Sequence, residues 1–362
     1  MRKILILSVG DRRHIGMISN YTTLMQEWGI RHDLVCMQRY PHGGSQNTGS
    51  FASIYEFPCQ LPLNASKLSK ILAFLRFRQF ATKIIRRERY DFIIVWNENT
   101  SVLFGDFLLR YYRKRYCLNI RDFGAATSSA LKRYQTLLLR ASAFSTFCTP
   151  SGIEHLPKYD YTIMLNKDDS LKSRCRPRDS LVKSSPPIVI TFLGVVFNRE
   201  NTQKFIDAFA NDKRFTLRYF GPGLEPVADY AASRGIHNVE VGGPFELEKT
   251  SQYLDATDII NSYYGAIDLS LKHAVGVKQS YAPLLKIPIL VDPGTYWAEV
   301  VERFGFGLTV DVTSTLADHV YRWYQDLQSD QFVRGCDDYM ETVEQTNAPF
   351  YAKCKEFIAG IG

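Results

Sequence analysis

The sequence lacks the signatures of several large protein classes. No apolar run reaches the roughly 18 residues needed to span a bilayer as a helix. The opening MRKILILSVG carries basic residues ahead of an apolar run, but that run ends at Asp11-Arg12-Arg13 and no small-residue cleavage site follows. Lys3 to Val9 therefore reads as a buried first strand, not as a signal peptide. Cysteine is sparse: seven residues, at 36, 59, 117, 148, 175, 336 and 354, odd in number and with no CxxC pair. This argues against a disulfide framework or a zinc cluster and predicts reduced thiols, as in a cytoplasmic protein. There is no G-x-G-x-x-G and no G-x-x-x-x-G-K-[ST], which disfavours the standard dinucleotide and P-loop sites. The Lys-Asp-Asp at 167–169 has no further carboxylate at ligand spacing, so no metal site is expected. Low-complexity tracts and short-period repeats are also missing.

What is present is a globular composition, 45% hydrophobic and 22% charged over 362 residues. That length predicts two domains of roughly 150–200 residues. The formal net charge of +7 is concentrated in one segment. Between Lys67 and Arg89 stand eight Lys/Arg and one acid, Glu88, with Leu68, Ile71, Leu72, Leu75, Ile84 and Ile85 at helical spacing. Such a helix is either an ordinary solvated surface or a basic face that meets an anionic membrane. Nucleic acid is not expected, because no nucleic-acid motif accompanies the charge.

Apolar, partly β-branched runs alternate with helix-like segments: ILILSVG (4–10), HDLVCM (32–37), DFIIVWN (91–97), YCLNIRDF (116–123), SAFSTFCTP (142–150) and YTIMLNKD (161–168). A polar stretch with Pro and Ser, 166–187, interrupts the pattern. It then restarts with IVITFLG (188–194), TLRYFGPG (216–223), VEVGG (239–243), DIINSYY (258–264) and IPILVD (287–292), and a helical region from Leu316 to Phe357 closes the chain. Continuous apolar strands separated by helices predict parallel sheets covered on both faces, an α/β class. The expected division is an N-terminal domain over 1–168, a linker over 169–187, a second domain over 188–335, and a terminal helix over 336–362.

Ligands of open α/β sheets bind beyond the carboxyl ends of the strands, so residues just after strands are the candidates. In the first half these are Gly10, Arg12, His14 and Gly16, then Asn97 with the rest of the 97–99 loop, then Arg121 and Asp122. Gly10 and Gly16 permit a tight turn at a helix start, where backbone N–H groups can meet an anion or a sugar hydroxyl. Arg121-Asp122 either faces a substrate or simply ties two loops together. In the second half the candidates are Gly194, Arg199, Gly221, Gly243, Phe245, Tyr263 and Tyr264. Lys278, in VKQSYAPLLKIPILVDPGT, is an exposed helix lysine on the plain reading or a ligand-facing cation on the other.

The second half resembles the C-terminal domain of GT-B glycosyltransferases, in particular the retaining family-4 type that builds bacterial surface polysaccharides such as capsule, O-antigen and lipopolysaccharide. The segments that carry the likeness, in order, are ITFLG with Arg199, TLRYFGPG, VEVGGPF, YLDATDIINSYYG, and VKQSYAPLLKIPILVDPGT followed by VVERFGFGLTVD. Lys278 falls at the family's lysine, and Pro288, Gly294 and Thr295 also match. In the first half NIRDF and HLPKYDYTIMLN are similar to that branch, with Leu165 where it has His. The resemblance implies two Rossmann-like domains facing a cleft, with a C-terminal helix crossing back to the first. It implies a nucleotide-diphosphate sugar, UDP favoured, held by the second domain, an acceptor on the first, and no cofactor or metal. Carried over, Gly243 to Phe245 border the nucleobase, Lys278 and Arg199 neutralise the diphosphate, and Tyr263 to Gly265 lie beside the donor sugar. Arg121 and Asp122 face the reacting centre. The implied acceptor is a lipid-linked glycan, with the protein peripheral to the inner face of the bacterial plasma membrane.

Two departures stand out. Where relatives carry two glutamates seven residues apart, this chain has His273 and Tyr281; Tyr281 can hydrogen-bond a ribose hydroxyl but cannot act as a carboxylate. The usual Arg after the Gly194 turn is missing at Val195 and Phe197, which leaves Arg199. The substituted glutamates motivate one alternative, a catalytically silent GT-B module that binds a glycan or a partner. The other, a nucleotide-sugar epimerase of the same fold, needs acidic residues for proton abstraction and is disfavoured by Tyr281.

Overall fold

The strands sort into two separate sheets. The computed structural model describes residues 2–12, 15, 17–38, 51–59, 66–123, 128–175, 180–245, 249–265, 268–273 and 275–360. The chain divides into unit 1, Met1–Leu165 with Thr346–Gly362, and unit 2, Asn166–Gln345.

Unit 1 contains strands β1 (Lys3–Ser8), β2 (Arg31–Gln38), β3 (Ser53–Pro58), β4 (Phe92–Trp96), β5 (Tyr116–Ile120), β6 (Phe144–Phe147) and β7 (Thr162–Ile163). All pair in parallel, in the order β3-β2-β1-β4-β5-β6-β7. The central strands are buried along their whole length because helices cover both faces, which is why β4 is an unbroken apolar run and β5 is apolar apart from Asn119. The connecting helices are α1 (Ser19–Glu27), α2 (Lys67–Glu88), α3 (Glu98–Tyr111) and α4 (Ser129–Ala141). Ser66 caps α2, its hydroxyl accepting from Ser69 N at 3.1 Å. Ala73, Phe77, Ala81, Ile84 and Ile85 form the buried stripe of that helix. The stretch 161–168 yields only the two strand residues of β7, at the sheet edge; Met164 and Leu165 beyond it are buried.

Unit 2 begins with a short helix, α5 (Asp169–Arg174), inside the polar stretch 166–187. Its strands are β8 (Ile188–Leu193), β9 (Phe215–Phe220), β10 (Val239–Gly242), β11 (Ile259–Ser262), β12 (Ile289–Val291) and β13 (Gly307–Thr309). They too are all parallel, in the order β10-β9-β8-β11-β12-β13. The helices are α6 (Arg199–Ala208), α7 (Glu225–Ser233), α8 (Thr250–Asp255), α9 (Leu269–His273), α10 (Val277–Leu285), α11 (Tyr296–Phe304), α12 (Leu316–Gln325) and α13 (Ser329–Cys354). The Pro-Gly-Thr turn after β12 launches α11: Gly294 takes φ 65°, and the Thr295 hydroxyl accepts from Ala298 N at 3.2 Å.

The last turns of α13 return to unit 1. Phe350, Cys354 and Ile358 belong to the core of Ile4, Ile6, Tyr21 and Trp96. Asn347 fixes the return, its Oδ1 accepting from Leu165 N at 2.7 Å and its Nδ2 donating to Leu165 O at 3.1 Å. All seven cysteines are free thiols, and among the described residues no helix is long and apolar enough to cross a membrane.

Each sheet reverses its winding once, between β1 and β4 in unit 1 and between β8 and β11 in unit 2. In an open α/β sheet that reversal opens a crevice at the carboxyl ends of the strands, which is where a ligand fits.

Candidate functional site

In unit 2 the strand ends are lined by glycine. Gly194 N donates to Phe220 O at 2.8 Å, and Gly221 N donates to Gly243 O at 3.2 Å, so the ladder between β8, β9 and β10 runs on into the turns. Gly221 has φ 153°, and a Cβ there would sit 2.0 Å from the Gly194 carbonyl oxygen. Only glycine allows these backbones to touch. Arg199 is exposed at the first position of α6, whose start is capped by Asn198, with Oδ1 accepting from Asn201 N at 3.1 Å. Phe245 is half-buried with its ring 4.9 Å from Tyr253, and Tyr253 lies 4.3 Å from Phe220.

Lys278 is the most unusual residue of this edge. Instead of the exposed position expected of a helix lysine, it is 5% exposed. Its Nζ lies 3.4 Å from the centre of the Phe192 ring and 4.0 Å from that of Tyr264, and has no hydrogen-bond partner among the described residues. Burial pushes the pKa of the amine well below its ordinary 10.5, against the pull of the Asp292 carboxylate. The Ser262 hydroxyl, at the end of β11, is likewise buried without a partner. Asp292 follows β12 and accepts from Tyr264 N at 2.7 Å and Gly265 N at 2.5 Å, which holds the loop after β11. Tyr263 stacks on Phe205 at 5.6 Å. Tyr281 is buried, and burial raises its hydroxyl pKa, with the Asp168 charge adding and Arg174 opposing.

A pocket of ≈ 420 Å³ opens at the opposite, amino-terminal edge of this sheet, lined in part by Lys183, Arg218, Asp255 and Asp258. Its cations are already paired, Lys183 with Asp258 at 3.7 Å and Arg218 with Glu240 at 2.7 Å. An unpaired buried cation occurs at the carboxyl edge, so that edge is the better anion site.

In unit 1 the loops after β1, β4 and β5 converge on the start of α3. Asn97, at φ 70°, caps α3 through Oδ1, which accepts from Thr100 N at 3.1 Å. The Thr100 hydroxyl accepts from Val9 N at 2.9 Å, and Asn97 N donates to Asn119 O at 3.0 Å. Gly10 N donates to the Ser8 hydroxyl at 2.9 Å, and Arg12 pairs with Glu56 of β3 at 3.7 Å. His14 and Gly16 lie outside the described residues.

Arg121 and Asp122 follow β5 directly. The Arg121 guanidinium lies 5.9 Å from the Trp96 ring centre. Their backbone amides both donate to one oxygen, Oε1 of Glu98, at 3.0 Å and 2.9 Å. Glu98 is only 6% exposed, and burial, reinforced by the Asp122 charge, raises its carboxyl to about 7 despite the backbone N–H groups of Asp122, Glu98 itself and Arg121. Protein crowding also raises the Asp122 carboxyl, with Arg121 opposing; the residue as a whole is exposed, so solvent limits the effect.

The structure thus gathers Asn97, Arg121 and Asp122 in unit 1, and the glycines, the tyrosine pair and Lys278 in unit 2. Sequence reasoning reached Glu98 only as part of the 97–99 loop after an apolar strand, and missed Asp292 and Phe192. A signal for the two acids was present: each is an acid immediately after an apolar strand, in IIVWNE and ILVD.

No protein-family model and no curated protein matches the sequence. Solved structures do match, along nearly the whole chain. Sucrose-phosphate synthase from Thermosynechococcus elongatus superposes with a TM-score of 0.70 at 9% identity, covering 100% of this chain and 99% of its own. HepE of Anabaena in complex with UDP and glucose gives 0.64 at 14% identity, covering 96% and 95%. A Listeria monocytogenes protein, a candidate UDP-N-acetylglucosamine 2-epimerase, gives 0.57 at 13% identity, covering 92% and 91%. The chain has the GT-B fold, with two Rossmann-like units.

Proposed function

We propose that the chain is a glycosyltransferase that moves a sugar from a nucleotide-diphosphate donor, a UDP-sugar in the favoured case, to a lipid-linked surface glycan. Unit 2 holds the donor and unit 1 meets the acceptor. The observation that carries this reading is Lys278: a buried amine with no hydrogen-bond partner among the described residues, at the strand ends of the second unit of a GT-B fold whose structural neighbours include UDP complexes. The departing diphosphate is the charge problem of such a reaction. A preorganised cation and the starts of α6 and α10 answer it without a metal. Arg199 adds a second cation at the start of α6. Asp122 is the residue proposed to face the acceptor hydroxyl, and retention of configuration is the expected outcome.

The lipid-linked acceptor draws support from α2. Leu68, Ile71, Leu72 and Leu75 are exposed by 77%, 53%, 53% and 47%, beside the exposed Lys67, Lys70 and Arg76. Large aliphatics interleaved with cations suit an anionic bilayer, at about 1 kcal/mol of attraction per basic residue. The protein would then work as a peripheral protein on the inner face of the plasma membrane.

Calorimetry with UDP tests the donor site. Wild type is expected to bind and Lys278→Ala to bind about 10–100-fold more weakly, the worth of one charge-assisted contact. Equal affinities remove Lys278 from the diphosphate site, and no binding by wild type removes the donor reading. The epimerase reading has the Listeria neighbour in its favour. Epimer formed from a nucleotide-sugar alone, with no acceptor, would replace transfer by epimerisation.

A further inference from the structure

Glu98 is buried, charged in one of its two forms, and unused by the function proposed above. It is the first residue of α3, and its carboxylate meets its own amide at the start of that helix. Oε1 takes two consecutive amides of a different segment, Arg121 N at 3.0 Å and Asp122 N at 2.9 Å. The helix that carries it is anchored independently, through Asn97 N to Asn119 O and Val9 N to the Thr100 hydroxyl. The carboxylate is therefore a fixed acceptor, and the turn after β5 is what it holds. The Arg121 carbonyl is gripped from the other side, where it accepts from the Cys148 thiol at 3.4 Å.

We propose that Glu98 is a positioning residue: its ionised carboxylate fixes the backbone of Arg121 and Asp122 in the conformation that presents Asp122 to an acceptor, and protonation releases that turn. The proposal rests on the transferase reading for the word acceptor, but not for the staple itself. A carboxylate is a far stronger acceptor for two N–H groups than a neutral acid is. The carboxyl is held up to about 7, so the change of form falls in the neutral range. The groups whose charge it feels or imposes are the Asp122 carboxyl, the Cys148 thiol and the Tyr161 hydroxyl. Asp122 is the nearest like charge, so its own ionisation favours the protonated form of Glu98. Arg121 contributes its amide to the staple while its guanidinium lies against Trp96.

Hydrogen exchange of the Arg121 and Asp122 amides in the full chain tests the idea. In wild type, protection corrected for the intrinsic rate is expected to fall about tenfold from about pH 8 to about pH 6 as the charge on the acceptor is lost. Glu98→Gln keeps an acceptor oxygen but cannot ionise, so its protection is expected to be equal at both pH values. Glu98→Ala is expected to lose protection at both; should it fail to fold, the glutamine variant decides alone. Turnover with a UDP-sugar donor is expected to fall below about pH 7 in wild type at unchanged donor KM, and to lose that pH dependence in Glu98→Gln. PH-independent protection in wild type, or wild-type pH dependence in Glu98→Gln, overturns the proposal. UDP calorimetry on the same samples separates the two claims: absent nucleotide binding with intact pH-dependent protection removes the transferase reading and leaves the staple.

Discussion

Replacing Lys278 with methionine should make the protein more stable and less able to bind UDP. The amine is buried without a hydrogen bond among the described residues, its Nζ 3.4 Å and 4.0 Å from two ring centres. Leaving a buried polar group unsatisfied costs about 1–3 kcal/mol, and more for a charged one. Two aromatic faces return about 2 kcal/mol to a desolvated cation. The direction of the pKa, well below 10.5 with burial as the larger cause, says that desolvation outweighs both the rings and Asp292. Methionine keeps the length and gains sulfur–aromatic contacts, so about 2 kcal/mol of stability is the expected gain. For a unit of this size that is about 4–8 °C in the melting temperature. A folded-state pKa below the unfolded one means that wild type gains stability as pH rises toward 10.5 and loses it as pH falls through the folded value. The advantage of the variant should therefore shrink in alkaline solution. Thermal unfolding by circular dichroism across that range, with calorimetry against UDP, reads all three quantities. A variant that melts lower than wild type, or a gap that does not change with pH, refutes the claim that this lysine is held at a cost.

Glu98→Gln should change how stability depends on pH. The folded carboxyl is raised from 4.5 to about 7, so wild type loses stability as pH rises through that interval and the glutamine variant does not. Between about pH 5.5 and 8.5 the difference amounts to about 2 kcal/mol, measurable by urea unfolding at each pH. Gly221→Ala should unfold the second unit or weaken it by about 3 kcal/mol or more, since its Cβ would meet the Gly194 carbonyl at 2.0 Å; the melting temperature decides. Serine at Leu68, Ile71, Leu72 and Leu75 should leave the melting temperature unchanged, because those side chains are exposed, while abolishing cosedimentation with vesicles containing phosphatidylglycerol. Retained cosedimentation would place the membrane contact elsewhere.

The fold was legible where burial on both faces leaves its mark. IIVW of β4 is apolar without interruption and IVITFL of β8 is broken only by Thr191, and both are central strands. Ser53–Pro58, β3, went unnoticed because it is an edge strand, only partly buried and of mixed polarity. The short β13 offers just Gly-Leu-Thr. At the site, the glycine turns and Lys278 could be named from sequence, but the burial of the lysine could not. The rings that enclose it come from Phe192 and Tyr264, far away in the chain and brought together by β8 and β11. The role of Glu98 was hidden for a different reason: its place after an apolar strand marks the position, but its partners are backbone amides, which every residue has, so the sequence does not say what it holds.

Glu98 and Asp292 share one design. Each is an acid after a strand, and each takes two successive backbone amides from the loop of the neighbouring strand. Neither contact depends on which side chains those loop residues carry. Residues 121–122 and 264–265 can thus be exchanged with little disturbance to the path of the chain, apart from the glycine conformation required at Gly265. A protein built this way can retune what it recognises by point substitution while its scaffold stays still. Loss of the acid at 98 or 292, by contrast, frees the path of the loop itself, whatever side chains stand at 121, 122 and 264.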